Sequence, residues 1–217
     1  HTVSHALYPV PEALKRKLLL SLLQTTATGK VVIFTRTKHR AKSLARELAN
    51  FDYRVAELQG NLSQNRRQIA MEGFRKGKYD ILVATDIAAH GIDVSEVSHV
   101  INFDIPDTVD AYTHRIGRTG RALHSGDAFT LATPNDASVV RAVERTLGIK
   151  IERRALEGFR YGDFSPESQF PQHAVKQAPQ GQSGANGKRS GAAPPRRSGP
   201  ARPGRSENRQ TQSRDQR

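Results

Sequence analysis

Ile81-Leu82-Val83-Ala84-Thr85-Asp86 is the stretch on which the fold turns. Its first four residues are continuously apolar, as suits a parallel strand covered on both faces. Thr85-Asp86 then ends the run and opens a short helical segment, Ile87-Ala88-Ala89. Val31-Val32-Ile33-Phe34 is a second continuous apolar run, and Arg54–Leu58, Val100–Phe103 and Ala128–Leu131 are further short β-rich runs. Helical patterns lie between them. Leu14 to Leu23 is one; Ala41, Leu44, Ala45 and Leu48 form the stripe of a second. Ile69, Met71 and Phe74 belong to a third, and Val139, Val140, Val143 and Leu147 to a fourth. Gly77, Gly126 and Gly148 punctuate the pattern. Strands alternating with helices predict right-handed βαβ units. The expected fold class is therefore α/β: a parallel sheet with helices on both faces. The functional loops of such a sheet lie beyond the carboxyl ends of its strands. Here those loops are Thr35 to Lys38, Gln59-Gly60, Thr85 to Asp93 and Asp104 to Pro106.

Composition narrows the partner. The 217 residues carry 34 Lys+Arg against 21 Asp+Glu, a net charge of +13. Such a balance favours a polyanion, with nucleic acid ahead of an anionic membrane. No apolar run approaches the roughly 20 residues of a spanning helix, and no signal peptide is visible. No membrane partner is expected, and a cytoplasmic location is. Cysteine is absent, which leaves no disulfide framework and no zinc-thiolate site. The chain begins with His1, which reads as a fragment of a longer protein.

The chain changes character near Phe170. Residues 171–217 contain 10 Lys+Arg and 2 Asp+Glu, and Val175 is their only large aliphatic residue. Too little apolar surface is available there to offset chain entropy, so a disordered basic tail is expected. The expected division is a folded domain over 1–158 and a disordered Gly/Pro/Ser/Arg-rich tail over 159–217. The tail's scattered arginines suit loose nucleic-acid binding.

His114-Arg115-Ile116-Gly117-Arg118-Thr119-Gly120-Arg121 puts three arginines and two glycines into eight residues. Arginine presents a planar fork of donors that matches phosphate oxygens, and glycine lets the backbone come close. Arg118 and Arg121, three apart, would share one face of a helical turn. Thr85-Asp86 offers a hydroxyl and free N–H groups at a helix start, suited to an anion or simply to a cap. Asp93 can accept from a sugar hydroxyl or serve a turn. Ser63 is a plausible cap for a helix starting at Gln64, with Arg66 solvated and Arg67 aimed at the loop face. No Gly-x-x-x-x-Gly-Lys-Ser/Thr loop occurs. The chain has arginines suited to a nucleotide but no phosphate cradle of its own.

Taken together, residues 1–155 resemble the C-terminal RecA-like domain of a DEAD-box ATP-dependent RNA helicase, of the bacterial RhlE-like kind. Val32 to Lys38 resembles motif IV, and Gln64 with Arg67 the Q-x-x-R motif. Residues 85–93 resemble motif V and 114–121 motif VI. Asn102, Asp104, Pro106 and Tyr112 also fall where the family has them. The resemblance implies that Arg118 and Arg121 contact the γ-phosphate of ATP, with Arg121 as the arginine finger. Asp93 would bind the ribose, and His114 would reach across the cleft. Thr37, Gly60, Arg67 and Thr85 would hold RNA, and Phe34 would pack beside Arg67. The resemblance places Mg2+ and the phosphate cradle on an N-terminal RecA-like domain of the same protein. The fragment alone should thus be inactive. His90 stands where the family usually has arginine. The alternative is a non-catalytic RNA-binding or annealing protein that uses the fold as a platform.

Overall fold

The computed structural model describes residues 3–26, 29–89, 97–119 and 126–170. The chain divides into two units after Ala174, and every described residue lies in the first. Strands β1 (Val3–Pro9), β2 (Lys30–Phe34), β3 (Val55–Leu58), β4 (Ile81–Ala84), β5 (Val97–Asn102), β6 (Gly126–Ala132) and β7 (Glu152–Arg153) form one sheet in the order β3-β4-β2-β5-β6-β1-β7. Every neighbouring pair is parallel. The helices are α1 (Lys15–Thr25), α2 (Lys38–Asn50), α3 (Gln64–Arg75), α4 (Asp86–Ala89), α5 (Val109–Ile116), α6 (Ala137–Leu147) and α7 (Pro166–Gln169). No described helix is long and apolar enough to cross a membrane.

Side chains alternate across the pleat, and the apolar runs therefore feed two layers. Val31, Ile33, Ile81 and Val83 pack with Leu18, Leu19 and Leu22 of α1 and Leu44 and Leu48 of α2. Val32, Phe34, Leu82 and Ala84 point the other way, toward Ala70 and Phe74 of α3 and Ala88 and Ala89 of α4. Leu7, Ala128 and Ala132 meet Tyr112 and Ile116 of α5 and Val140 and Val143 of α6. The expected parallel sheet with helices on both faces is the observed architecture. All five expected strand runs and all four helical patterns fall within or overlap observed elements.

Caps set the helix starts. Thr37 accepts from the Arg40 N–H at 3.2 Å, Ser63 from Arg66 at 3.3 Å and Thr108 from Ala111 at 3.1 Å. Each fills one of the orphan donors of a first turn. Gly148, in the left-handed region at φ 63°, ends α6.

Three expectations need correction. First, the domain does not end at residue 158. Phe159 and Tyr161 meet edge-on at 4.8 Å and pack with Leu156 against the core. The Tyr161 hydroxyl accepts from the Leu156 N–H at 2.9 Å, and Phe170 is buried. The aromatic residues of 159–170 supply the apolar surface that 171–217 lacks. Second, the strand pattern missed β1, an interior strand next to the β7 edge, hydrogen-bonded to β6 and β7. Ser4 and His5 interrupt its apolar run, and partners far along the chain complete it. Third, Arg118 is not on a helix. α5 ends at Ile116, so the shared helical face with Arg121 is not formed at Arg118. Gly120, Arg121, His90 and Asp93 lie outside the described residues.

Candidate functional site

The carboxyl ends of β3, β4 and β2, three adjacent strands, bring four expected residues to one edge. The loop after β2 begins with buried Thr35, whose N–H donates to the Ala84 carbonyl at 2.9 Å and whose hydroxyl donates to the Thr37 carbonyl at 3.2 Å. This pins Thr37, which is exposed and caps α2. After β3, buried Gln59 turns its side-chain oxygen back to accept from the Asn61 N–H at 2.7 Å. Gly60 sits at the top of that loop, and a Cβ there would meet nothing within 4 Å. The glycine leaves the outer side of the backbone open. After β4, the Thr85 N–H donates to the Leu58 carbonyl at 3.2 Å, and its carbonyl accepts from Ala89 at 2.9 Å to begin α4. Arg67, half-buried on α3, donates to the Ala88 carbonyl at 3.1 Å. Thr37, Gly60, Arg67 and Thr85 thus share the edge, as their motif positions predict, while Arg66 is exposed beside them.

The second part of the site starts from Arg115. It is 2% exposed, and a buried guanidinium must have its donors filled. Two go to Asp86 as a fork, Nε to Oδ1 at 2.5 Å and Nη2 to Oδ2 at 2.6 Å. Nη1 donates to the Asn102 side chain at 3.1 Å and to the Asp104 carbonyl at 2.6 Å. The group lies 5.0 Å from the centre of the Phe34 ring. Arg115 therefore joins β2, α4, β5 and α5 at one point. Phe34 is the floor under Arg115. Asp86 is the fork's acceptor rather than merely a cap.

Around this hub lies a cleft of about 180 Å³, lined by Phe34, Asp86, Ala89, Ala111, His114, Arg115 and Arg118. His114 is exposed on its rim, and Arg118 Nε donates to the His114 carbonyl at 3.2 Å. Arg118, expected to face the nucleotide, and His114, expected to reach across the cleft, are thus brought together beside it. The other two expected nucleotide-binding residues, Asp93 and Arg121, lie outside the described residues.

Asp104 links the two parts. Its side chain accepts from the Arg36 N–H at 2.9 Å and pairs with Arg40 at 3.2 Å and with Lys15 at 3.5 Å. Lys15 and Arg40 also lie over the Phe103 ring, at 5.7 and 5.1 Å. Glu12 completes the group through Arg40 and Lys15. Partial burial works against its charge, but these two cations hold its carboxyl below the usual range. The loop that carries Thr37 is thereby fixed to the loop that leads into α5. Lys15 had a legible signal. It precedes Leu18, Leu19 and Leu22 on the buried stripe of α1, and a cation on an apolar face needs a partner. Nothing in the sequence told Arg115 from Arg118 as the buried member of its run.

The fold and site together define a RecA-like domain of the kind that forms the second half of a helicase core. The chain belongs to the helicase conserved C-terminal domain family, whose description matches residues 14–123. Its relatives are DEAD-box RNA helicases. It is 42% identical over 156 residues to the DEAD-box ATP-dependent RNA helicase CshA of Bacillus subtilis (strain 168), covering 69% of this chain and 32% of that protein. The chain spans about a third of the length of the curated relatives it matches. Among solved structures it resembles the E. coli DEAD-box protein SrmB bound to regulator of ribonuclease activity A. The TM-score is 0.69 and the identity 32%, over 76% of this chain and 99% of that one. S. cerevisiae Dbp5 bound to RNA and ADP BeF3 is similar at a TM-score of 0.66 and 30% identity, over 70% of this chain and 41% of that one.

Proposed function

We propose that this chain is the C-terminal half of an ATP-dependent RNA helicase that closes against an N-terminal RecA-like domain to melt short duplexes. RNA runs over the edge formed by Thr37, Gly60, Arg67 and Thr85. Threonine hydroxyls and open backbone N–H groups donate to phosphate and sugar oxygens, and Arg67 adds a charge-assisted contact. His114, Arg118 and Arg121 face the cleft between the domains. Arg118 and Arg121 meet the γ-phosphate of ATP held on the other domain, with Arg121 as the finger, and Asp93 takes the ribose. Mg2+ belongs with the phosphate cradle on that other domain. Among the described residues, no three His, Cys, Asp or Glu side chains come together in a way that could hold a metal ion.

One observation carries the reading. The short helix α4 is held from one side by Arg67, at the Ala88 carbonyl, and from the other by Arg115, at Asp86. The RNA-facing edge and the helix that ends in the cationic cleft therefore grip the same four residues. A shift at either is felt by the other through one rigid turn.

Joined to its N-terminal half, the protein should hydrolyse ATP in response to RNA. Arg121→Ala should lower kcat by about 10³–10⁵, the worth of such a finger in GTPases, with RNA affinity little changed. Equal loss of kcat and RNA affinity would make Arg121 an RNA contact and overturn its assignment. A joined protein that binds RNA but never hydrolyses ATP would point to the non-catalytic platform. Isolated 1–217 should show no ATPase activity.

A further inference from the structure

α2 carries a charge pattern that the site does not use. Lys38, Lys42 and Arg46 are spaced at i, i+4 and i+8 and all are exposed, so they form one outward row. At 1.5 Å of rise per residue the row is about 12 Å long. It starts at the RNA-facing edge. Thr37 is the cap of this helix, and Lys38 Nζ donates to the Asn61 side chain at 3.2 Å, beside Gly60. From there it leads away along the helix.

The row is not neutralised. Glu47 is the only acidic residue of α2, and it is taken by Arg16 of α1, which also donates to Ser43 at 3.2 Å. Among the described residues, no acidic group pairs with Lys42 or Arg46. Some other surface cations are paired: Arg54 with Asp80, Lys76 with Glu72 at 3.7 Å and Arg154 with Glu152 at 2.5 Å. The apolar side of α2, at Ala41, Leu44, Ala45 and Leu48, is already buried on the sheet. Fold stability therefore gives no reason for three like charges in line, which repel one another at this spacing.

We propose that this row is a second RNA contact, a track for the phosphates that flank the segment held at the sheet edge. The proposal rests on the RNA-binding reading above. It commits to nucleic acid because the row continues the edge that carries Thr37 and Gly60, and because a line of cations answers a line of phosphates. Lys42 and Arg46 would position RNA without reading sequence.

The test is binding of hexauridine and of long poly(U) to residues 1–217 across a salt series. Lys42→Gln/Arg46→Gln should weaken the long RNA and spare hexauridine. Two lost phosphate contacts should flatten the slope of log K against log salt by about 1.4, so affinity for poly(U) should fall about sevenfold less between 50 and 200 mM salt than in the wild type. Arg141→Gln/Arg145→Gln removes the same charge from exposed positions of α6, on the other face of the sheet, and should leave the slope alone. Equal flattening by both pairs would reduce the effect to net charge and overturn the proposal. An unchanged poly(U) slope with lost binding to poly-glutamate would assign the row to an acidic protein and overturn it too. Arg67→Gln should weaken both RNAs. If it weakens neither, the RNA-facing edge itself is wrong; if it does and the α2 pair does nothing, only the track is wrong.

Discussion

The sheet edge assigned to RNA in the proposed function and the cleft assigned there to the nucleotide are built by different physics. The edge is a backbone structure. Thr37, Gly60 and Thr85 stand on loops fixed by N–H···O bonds of 2.7 to 3.2 Å, and two of its side chains, Thr37 and Ser63, are helix caps. The cleft is a side-chain structure. One buried arginine fills four acceptors and lies on a phenylalanine. Backbone construction tolerates loss of a single side chain, because neighbouring hydrogen bonds persist. Construction around a buried cation does not, because removing either partner strands a charge. The difference also suits the proposed roles. An edge that holds a repeating backbone needs regular donors, whereas a cleft that senses a polyphosphate needs one point where several elements meet.

The sharpest way to break this contrast is Arg115→Ala. It should destabilise the domain by about 3 kcal/mol, the low end for a broken buried pair because Asp86 remains half in water. Arg115→Lys should rescue little, since a point charge cannot reproduce the fork. Urea unfolding of both variants measures this. A loss within about 0.5 kcal/mol, the size of an ordinary surface substitution, would remove Arg115 from the centre of the cleft.

A smaller effect is expected at the edge. Thr37→Ala deletes the cap of α2 and should cost about 1 kcal/mol, while Thr37→Ser should keep most of it. The same melts check it. If Thr37→Ala costs as much as Arg115→Ala, the edge depends on single side chains after all and the contrast fails.

The smallest expected effect concerns acid. Burial lowers the His5 pKa, and its Nδ1 lies 3.1 Å from the hydroxyl of Tyr112 on α5. Burial also raises that hydroxyl to about 12, so the tyrosine stays neutral. His99 is lowered by burial as well, against the pull of Asp127. The folded chain therefore binds fewer protons than the unfolded one near the ordinary histidine value of 6.5. Stability is complete above that value and declines as pH falls through it. Melting temperature should drop between pH 7.5 and 5.5, and His5→Asn/His99→Asn should flatten the drop. A flat wild-type profile would show that neither ring is held neutral. Since His5 touches α5, loosening on the cleft side should precede loosening at the edge, which hydrogen exchange of α5 and α2 would resolve.

What could be read from the chain alone was whatever local pattern encodes. The continuously apolar runs at 31–34 and 81–84 demand cover on both faces, and helical stripes between them supply it. That periodicity sufficed for a parallel α/β sheet. Motif order sufficed for the family and for placing Thr37, Gly60, Arg67 and Thr85 on one edge, because loops after parallel strands all emerge on the same side. The tertiary structure decided what depends on distant partners. β1 is a strand because β6 and β7 flank it. Residues 159–170 belong to the domain because Phe159, Tyr161 and Phe170 find a core to cover. Arg115, and not Arg118, is the buried arginine because Asp86 from α4 and Asn102 and the Asp104 carbonyl from the end of β5 converge on it. Spacing along a chain sets which face a residue takes; only the assembled neighbours supply the acceptors that make burying a charge tolerable.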